Sequence, residues 1–302
     1  MGMRAFYCDH FVLPLPEGHR FPMAKYARLR ARVVDEGIIA PGDLLVAPAA
    51  TREELCLAHT PGYVDAIADG SVAREVVRRI GFPWSPGMVE RSRRSVGATI
   101  AAARLAVDEG TAVNLAGGTH HAFADRGEGF CVFNDIAVAA RVVLREGRIR
   151  RALVIDCDVH QGNGTAAIFR DDPAVFTFSI HGEKNYPFHK ETGDLDLTLP
   201  DGAGDVAYLD LLDRHLDAVL DRHRPDLVFY LAGADAFGGD RLGRLALTFE
   251  GLAARDAMVL ERCRQRCVPV AVAMGGGYAH DIDDIVRIHA QTVREAGRWH
   301  AG

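Results

Sequence analysis

Residues 152–164 read ALVIDCDVHQGNG, and this stretch carries the strongest indication of the fold. It starts as a continuous apolar run and then places Asp156, Asp158 and His160 at every second position. Side chains two apart in an extended chain share a face, so Asp158 and His160 can act as neighbouring groups. Two glycines follow within four residues, and glycine lets the backbone turn sharply. The stretch therefore predicts a buried strand that ends in polar chemistry.

The rest of the chain alternates short apolar runs with segments of helical spacing. Continuous hydrophobicity is typical of strands that are covered on both faces. The predicted strands are Arg4–Cys8, Leu44–Ala47, Ala112–Ala116, Ala152–Cys157, Val175–Ile180, Leu227–Ala232 and Val268–Met274. The clearest predicted helices are Met88–Glu109, Asn134–Glu146, Ala207–His223 and Phe249–Gln265. This alternation indicates an α/β fold with an open parallel sheet and helices on both faces. We expect residues 1–302 to form a single domain.

Polar residues follow the ends of four predicted strands. They are GGTHH at 117–121, Asp158 with His160, GAD at 233–235 and GGGY at 275–278. In open α/β sheets, ligands bind beyond the carboxyl ends of the strands. We therefore expect one site at this edge. A predicted loop, His181–Gly204, follows a fifth strand, and loops of such length are often functional.

Composition limits the kinds of partner. The chain has 302 residues, 25% of them charged, and a formal net charge of −6. It therefore lacks the basic excess of a general nucleic-acid binder. No apolar run reaches the ~18 residues that a membrane span needs, and the N-terminus lacks the pattern of a signal peptide. The six cysteines form no CxxC pair, which favours reduced thiols. We expect a cytoplasmic protein that binds neither nucleic acid nor membrane; oligomeric state has no signal in the sequence.

Asp158, His160 and Asp235 are the candidate metal ligands. Two carboxylates and one imidazole suit Zn²⁺ with an open position for water, and Fe²⁺ is an alternative. Taken alone, an Asp-x-His pair is more often a strand-end carboxylate and a solvated histidine. Taken alone, Asp235 fits a helix N-cap equally well. The shared edge of the sheet favours the metal interpretation.

His120, His121 and Tyr278 are the candidate catalytic groups. One imidazole can take a proton from an activated water, and the other can protonate a leaving amine. Asp156 is a candidate partner for one ring and Asn163 for the other. A carboxylate partner raises the pKa of a histidine more than an amide does, so the two rings need not be equivalent. The Tyr278 O–H can donate to a carbonyl oxygen as it becomes negative. Each of these residues alone is also compatible with packing or simple hydrogen bonding.

Four motifs together resemble the zinc-dependent histone deacetylase family. They are GGTHHA at 117–122, DCDVHQGNG at 156–164, GAD at 233–235 and GGGY at 275–278. Their order is that of the family, and the resemblance spans nearly the whole chain. FPMAKY at 21–26 and LGRLALT at 242–248 also fit. The DxDVHQGNG form and the FPM-KY start resemble the class IV branch and its bacterial relatives most.

The resemblance implies the arginase/deacetylase fold and hydrolysis of an acylated amine. It implies Zn²⁺ on the three candidate ligands, His120 and His121 as the general acid/base pair, and Tyr278 as the group that polarises the carbonyl. It also implies a structural monovalent cation, K⁺, near Asp156, Asp158, His160, Ser179 and Ile180. It further implies a tunnel for the acyl-lysine side chain that is lined by Gly129, Phe130, Phe188 and Gly276, with the two phenylalanines as opposite walls.

One position departs from the family pattern. Asn163 stands where the best-known branch carries a second aspartate. We therefore expect the second histidine to lack a charged partner, and the base and acid roles of the two rings stay open.

Two other functions are compatible with parts of the pattern. An arginase-like ureohydrolase would need more aspartates, yet Gly162 stands two residues after His160, and Asp235 has no aspartate two residues away. A non-catalytic acyl-lysine binder would be expected to lose a ligand, a histidine or the tyrosine. If the protein is an enzyme, its substrate could be an acyl-lysine in a peptide or protein, an acetylpolyamine or another small acylated amine. The class IV likeness favours longer acyl chains.

Overall fold

Eight parallel strands form one open sheet in the computed structural model, which describes residues 2–300. The strands are β1 Arg4–Tyr7, β2 Leu44–Val46, β3 Thr111–Asn114, β4 Ala152–Asp156, β5 Val175–Gly182, β6 Leu195–Leu199, β7 Leu227–Gly233 and β8 Val270–Gly275. Their order is β2-β1-β3-β8-β7-β4-β5-β6, and every neighbouring pair is parallel. The predicted open parallel sheet is confirmed.

Helices cover both faces of this sheet. They are α1 Lys25–Asp35, α2 Arg52–Leu55, α3 Pro61–Asp69, α4 Arg74–Ile80, α5 Pro86–Glu109, α6 Asp135–Arg145, α7 Asn163–Phe169, α8 Asp205–His223, α9 Phe249–Gln265 and α10 Ile282–Arg298. A short 3₁₀ helix spans Pro41–Asp43. Helices α5 and α6 contribute to the hydrophobic cluster on one face, and α1, α8, α9 and α10 to the cluster on the other. Along β4, Val154 joins the first cluster while Leu153 and Ile155 join the second. Both faces are thus buried, which explains the continuous apolar runs.

Each predicted strand and each of the four clearest helices is present, with ends that differ by about two residues at most. The predicted loop His181–Gly204 is wrong in part, because β6 lies inside it. This strand is at the edge of the sheet, and its LDLTL sequence alternates apolar and polar residues. An edge strand needs no continuous apolar run, so the pattern used for the inner strands missed it.

Among residues 2–300, none of the helices combines the length and the apolar character that crossing a bilayer requires.

A buried histidine, His59, joins three segments next to the carboxyl edge of the sheet. Its Nδ1 lies 2.9 Å from the carbonyl oxygen of Phe123, and its Nε2 accepts the backbone N–H of Asn134 at 2.9 Å. The N–H donor requires a lone pair on Nε2, so the ring is neutral with its proton on Nδ1. Burial lowers the pKa of His59 to about 4.

His59 should therefore make folding pH-dependent. Because its pKa is about 4 when folded and ~6.5 when unfolded, the neutral ring contributes stability that is complete above pH ~6.5 and is lost as pH falls toward 4. We expect the difference in free energy of unfolding between wild type and His59→Gln to shrink by up to about 3 kcal/mol over that range. Urea unfolding at several pH values measures this difference. A difference that stays constant from pH ~7.5 to ~4 would contradict the neutral buried ring.

Candidate active site

Four adjacent strands bring the predicted site residues to one edge of the sheet. From one side to the other, β3 leads to His120 and His121, β8 to Tyr278, β7 to Asp235, and β4 to Asp158 and His160. All six side chains line the same cavity, whose volume is about 450 Å³. The structure thus brings together groups that are up to 158 residues apart in sequence, from His120 to Tyr278.

Asp158, His160 and Asp235 form a buried cluster of three donors. The His160 Nδ1 lies 2.9 Å from Asp158 Oδ1 and 3.2 Å from Asp235 Oδ2. One donor atom from each residue lies within 4.8 Å of the other two. The Asp235 Oδ2 is buried and accepts no hydrogen bond that meets standard geometry. Two carboxylate oxygens and one imidazole nitrogen around a common point fit a divalent metal such as Zn²⁺.

The charged groups of this cluster strongly affect one another's pKa values. Burial and the nearby charge of Asp158 raise the pKa of Asp235 to about 6. Burial disfavours the charged form of His160, but its hydrogen bond to Asp158 and the negative charges of Asp158 and Asp235 outweigh burial and raise its pKa to about 10. Burial acts against the Asp158 carboxylate, yet the charges of His120 and His160 hold its pKa below the usual range. Carboxylates this close require positive charge between them.

Arg255, a fully buried residue of α9, ties the two ligand-bearing strand ends together. Its Nη1 donates to the carbonyl oxygens of Gly233 at 2.7 Å and Cys157 at 3.2 Å. Its charge is paired with Asp256, 2.8 Å away. Because Cys157 precedes Asp158 and Gly233 lies two residues before Asp235, the guanidinium links the backbone segments that carry the two carboxylates. The sequence pattern missed Arg255, since an arginine on an amphipathic helix is ordinarily read as exposed.

The two histidines have different partners, as the sequence predicted. The His120 Nδ1 lies 2.7 Å from Asp156 Oδ2, and the His121 Nδ1 lies 2.7 Å from Asn163 Oδ1. The ring centroids are 4.1 Å apart. Burial opposes the charged His120, but the charges of Asp156 and Asp158 raise its pKa to about 9. Burial and the charges of His120 and His160 hold the pKa of His121 well below its usual value.

Glu128 orients the amide that holds His121. The Asn163 Nδ2 donates to Glu128 Oε1 at 2.9 Å, so its Oδ1 faces the imidazole. An amide oxygen only accepts, so the His121 proton is on Nδ1 and the lone pair of Nε2 is free. The Tyr186 hydroxyl also donates to Glu128, and its ring lies 4.9 Å from that of His121. As expected, the direct partner of His121 is the uncharged Asn163. The carboxylate of Glu128 contacts that partner and not the imidazole itself.

Another buried carboxylate, that of Asp135, shapes the loop that carries the histidines. It accepts the backbone N–H of Thr119 at 2.8 Å and that of Gly118 at 3.2 Å. The hydroxyls of Thr119 and Thr99 donate to it at 2.7 and 2.6 Å. In the sequence, the only signal for Asp135 is its position directly after the α6 N-cap Asn134.

Tyr278 follows a tight turn packed on the metal-ligand cluster. Gly276 and Gly277 have φ angles of 54° and 88°, which strongly favour glycine. The turn is held by the Tyr278 N–H, which donates to Asp240 at 2.6 Å, and by Arg241 Nε, which donates to the Tyr278 carbonyl at 2.7 Å. Burial raises the pKa of Tyr278 well above its usual value, so the phenol keeps its proton. The described residues offer its hydroxyl no hydrogen bond, which leaves the O–H free to meet a ligand.

The predicted tunnel residues all line the cavity, but not all at the same depth. Gly129, Phe130 and Gly276 lie along its wall, with the Phe130 ring 5.9 Å from that of Tyr278. Phe188 is 80% exposed at the mouth, so it does not form an inner wall opposite Phe130. The aromatic ring beside the histidines on that side is Tyr186, two residues earlier, which the sequence analysis missed.

The residues predicted to hold a monovalent cation lie on, or directly after, the adjacent strands β4 and β5. Asp156 on β4 is paired with Ser179 on β5, and Ile180 follows in the same buried strand. The Ser179 hydroxyl lies 2.9 Å from His181 Nδ1. The two strand ends bring these residues together with Asp158 and His160, and the cation itself stays a prediction.

Comparison with known proteins gives consistent matches along the chain. The family model described as histone deacetylase domain matches residues 19–294. An uncharacterized protein of Picosynechococcus sp. is 48% identical over 296 residues, which cover 98% of this chain and 99% of that protein. The histone deacetylase-like amidohydrolase of Pseudomonas aeruginosa is 32% identical over 289 residues, 88% of this chain and 74% of that protein.

Solved structures share the architecture. An HDAC homologue from Aquifex aeolicus superimposes with a TM-score of 0.84 at 24% identity, covering 99% of this chain and 84% of that chain. An HDAC homologue complexed with SAHA also has a TM-score of 0.84, at 25% identity and the same coverage. The first of these similarities shows the fold alone.

Gly276 offers a direct test of the metal-ligand cluster. A Cβ at this position would lie 2.0 Å from Asp235 Oδ2, so Gly276→Ala must displace the carboxylate. We expect metal affinity to fall by about tenfold or more, since small displacements of a ligand weaken a metal site. Titration of Zn²⁺ against a chromogenic chelator measures it. The matched control is Gly37→Ala, which has a similar φ of 65° but open space around the new Cβ. Equal metal affinity in both variants would contradict the assignment of Asp235.

Proposed function

Because the chain belongs to the histone deacetylase family, we propose that this hydrolase removes an acyl group from an acylated amine with the help of a bound metal. The observation that carries the proposal is the content of one buried cavity. It combines three metal-ligand donors, two imidazoles with different partners, and a tyrosine hydroxyl without a partner. These are the groups that hydrolysis of an unactivated amide needs.

In the proposal, Asp158, His160 and Asp235 hold the metal, with Zn²⁺ as first choice and Fe²⁺ as the alternative. Such a metal, when bound, lowers the pKa of a water molecule and polarises the substrate carbonyl. The unpaired Oδ2 of Asp235 and the crowding of carboxylates both support a cation at this position. A structural K⁺ near Asp156, Asp158, His160, Ser179 and Ile180 is part of the same proposal.

The histidine pair moves the protons. His121 has its proton on Nδ1, held by Asn163, so its Nε2 can take a proton from the attacking water. His120 is held by Asp156, a charged partner that favours the protonated ring. It therefore suits the role of stabilising negative charge and of supplying a proton as the amine leaves. The two partners thus divide the base and acid roles.

Tyr278 stabilises the tetrahedral state. Its raised pKa keeps the O–H protonated, and its position beside the ligand cluster allows donation to the carbonyl oxygen as negative charge develops. The product amine and carboxylate then leave through the same cavity.

The proposed substrates are acylated amines. A cavity of about 450 Å³ lined by Phe130 and Tyr186 accommodates an acyl-lysine side chain. An acylated lysine in a peptide or protein is the first choice, and a small acylated amine such as acetylpolyamine is the alternative. Likeness to the class IV branch favours longer acyl chains. A cytoplasmic location and one catalytic domain over residues 1–302 complete the proposal.

A ladder of substrates tests this function. The purified protein, with its metal counted, would be offered acyl-lysine peptides from acetyl to myristoyl and acetylspermidine, and products measured by mass spectrometry. We expect turnover with about one metal per chain. Asp158→Asn should lose metal and turnover together. Tyr278→Phe should retain the metal and lose about 10²- to 10³-fold in kcat, the usual cost of removing one oxyanion donor.

Asp210→Asn, on the exposed surface of α8, is the matched control and should behave as wild type. Metal binding without cleavage of any acylated amine would refute the deacylase. Wild-type turnover in Tyr278→Phe would refute the role of the hydroxyl while leaving the reaction itself standing.

A further inference from the structure

The mouth of the active-site cavity carries charge of one sign. Its exposed lining residues are Arg20, Arg78, Arg79, Lys184, Arg244 and Phe188. All five charged members of this set are cationic, although the whole chain has a net charge of −6. We call the five cations the basic rim. A surface that collects cations on an acidic protein has a local field opposite to that of the molecule.

The basic rim surrounds the mouth rather than following one helix. Arg20 lies before α1, Arg78 and Arg79 near the end of α4, Lys184 after β5, and Arg244 after β7. Four separate segments thus contribute. This arrangement differs from the solvated face of a single amphipathic helix, on which charges cluster without any common target.

Three members of the rim have no carboxylate of their own. Arg78 pairs with Glu75 at 2.9 Å and Arg244 with Asp201 at 3.1 Å. Within residues 2–300, no acidic group lies within 4.0 Å of the charged atoms of Arg20, Arg79 or Lys184. These three charges are available to an incoming anionic group.

The chemistry of the rim favours one class of substrate. When an acyl-lysine side chain enters the cavity, the residues before and after it stay at the mouth, within the ~8 Å over which exposed charges act at physiological salt. Acidic flanking residues would meet the basic rim, while basic ones would be repelled. An acetylpolyamine carries its remaining amines as cations and meets the same repulsion.

We infer that the basic rim selects acylated lysines that lie in acidic segments of proteins. This inference rests on the proposed deacylase function and adds the identity of the substrate's surroundings. The cations act on encounter and binding, so they change KM and kcat/KM and leave the bond-breaking step unchanged.

Three peptides of equal length test the inference. Each carries one central lysine with the acyl group that the protein hydrolyses fastest, flanked on both sides by acidic, neutral or basic residues. We expect kcat/KM for the acidic peptide to exceed that for the basic peptide by about tenfold at ~50 mM salt, and the ratio to fall at ~500 mM salt.

A pair of triple variants provides the control. Arg20→Gln/Arg79→Gln/Lys184→Gln removes the three unpaired cations and should bring the ratio to within about twofold. Arg145→Gln/Arg150→Gln/Arg151→Gln removes the same charge from exposed positions around the start of β4, where the amino ends of the strands lie far from the cavity mouth. It should leave the ratio unchanged. Equal kcat/KM for all three peptides, or an equal effect of both triple variants, would overturn the inference while the deacylase stands. Cleavage of none of the peptides would instead refute the function on which it rests.

A second, independent observation concerns Lys25. This lysine is only 4% exposed, and no carboxylate within residues 2–300 lies within salt-bridge distance of it. Its Nζ donates to the carbonyl oxygen of Gly276 and lies 3.4 Å from that of Gly277. The rings of Phe21, Tyr26 and Tyr278 surround it, each centroid 5.1–5.3 Å from Nζ. A buried ammonium without an acidic partner is costly, so its contacts point to a function.

We propose that Lys25 is a positioning residue for Tyr278. The positive φ angles of Gly276 and Gly277 turn their carbonyl groups toward α1, where the ammonium of Lys25 binds both. The same ammonium lies against the face of the Tyr278 ring, a favourable cation–π contact. Lys25 therefore fixes the turn and the ring at once, and through them the direction of the phenol O–H.

A double-mutant cycle tests this role, which also rests on the proposed function. Lys25→Met retains the length and apolar stem and removes the charge. In the wild-type background, we expect Lys25→Met to lower kcat about 10- to 100-fold with KM nearly unchanged. In the Tyr278→Phe background, the same substitution should lower kcat by less than about twofold. Lys25→Gln, which retains an N–H donor for one carbonyl, should recover part of the loss.

A purely structural role predicts a different pattern. In that case Lys25→Met would lower kcat by the same factor in both backgrounds, and kcat would follow the loss of thermal stability across the Met and Gln variants. Either result overturns the positioning role. Absence of turnover in the wild-type protein would instead refute the proposed deacylase function.

Discussion

Three carboxylates, those of Asp156, Asp158 and Asp235, share one buried space at the carboxyl edge of the sheet. Charges removed from water destabilise a fold unless opposite charge and hydrogen bonds compensate for them. Here each carboxylate accepts a backbone N–H, His120 pairs with Asp156, and His160 lies between the other two. The crowding of carboxylates that suits a divalent cation is thus also an electrostatic cost, which the surrounding contacts offset.

The geometry of this cluster depends on groups that never face the substrate. Arg255 ties together the strand ends that lead to Asp158 and Asp235, and Asp135 shapes the loop before the histidine pair. Glu128 sets the orientation of the Asn163 amide and so the tautomer of His121. A site that has to hold several groups within fractions of an ångström needs such supporting contacts. The candidate site has few residues, but the residues that position them come from segments far apart in the sequence.

Much of the fold and the site could be predicted from local pattern. The two-residue period of Asp156, Asp158 and His160 follows from the geometry of an extended chain, and the apolar runs follow from burial on both faces of a parallel sheet. Because ligands bind beyond the carboxyl ends of such strands, the same residues also indicated where the site lies. The pairing of the histidines with Asp156 and Asn163 was predictable for the same reason, since each partner belongs to the same motif.

Other features were decided only by the tertiary structure. The strand order places β8, with Tyr278 at its end, between β3 and β7, and pairing between strands distant in sequence leaves no local pattern. Strand β6 was missed because an edge strand does not need a continuous apolar run. The burial of Lys25 and the clustering of the basic rim could not be predicted from the sequence for a related reason. Charge in a sequence is ordinarily read as exposure to solvent, and whether a charged side chain is buried, paired or gathered around a cavity depends on which distant segments pack beside it.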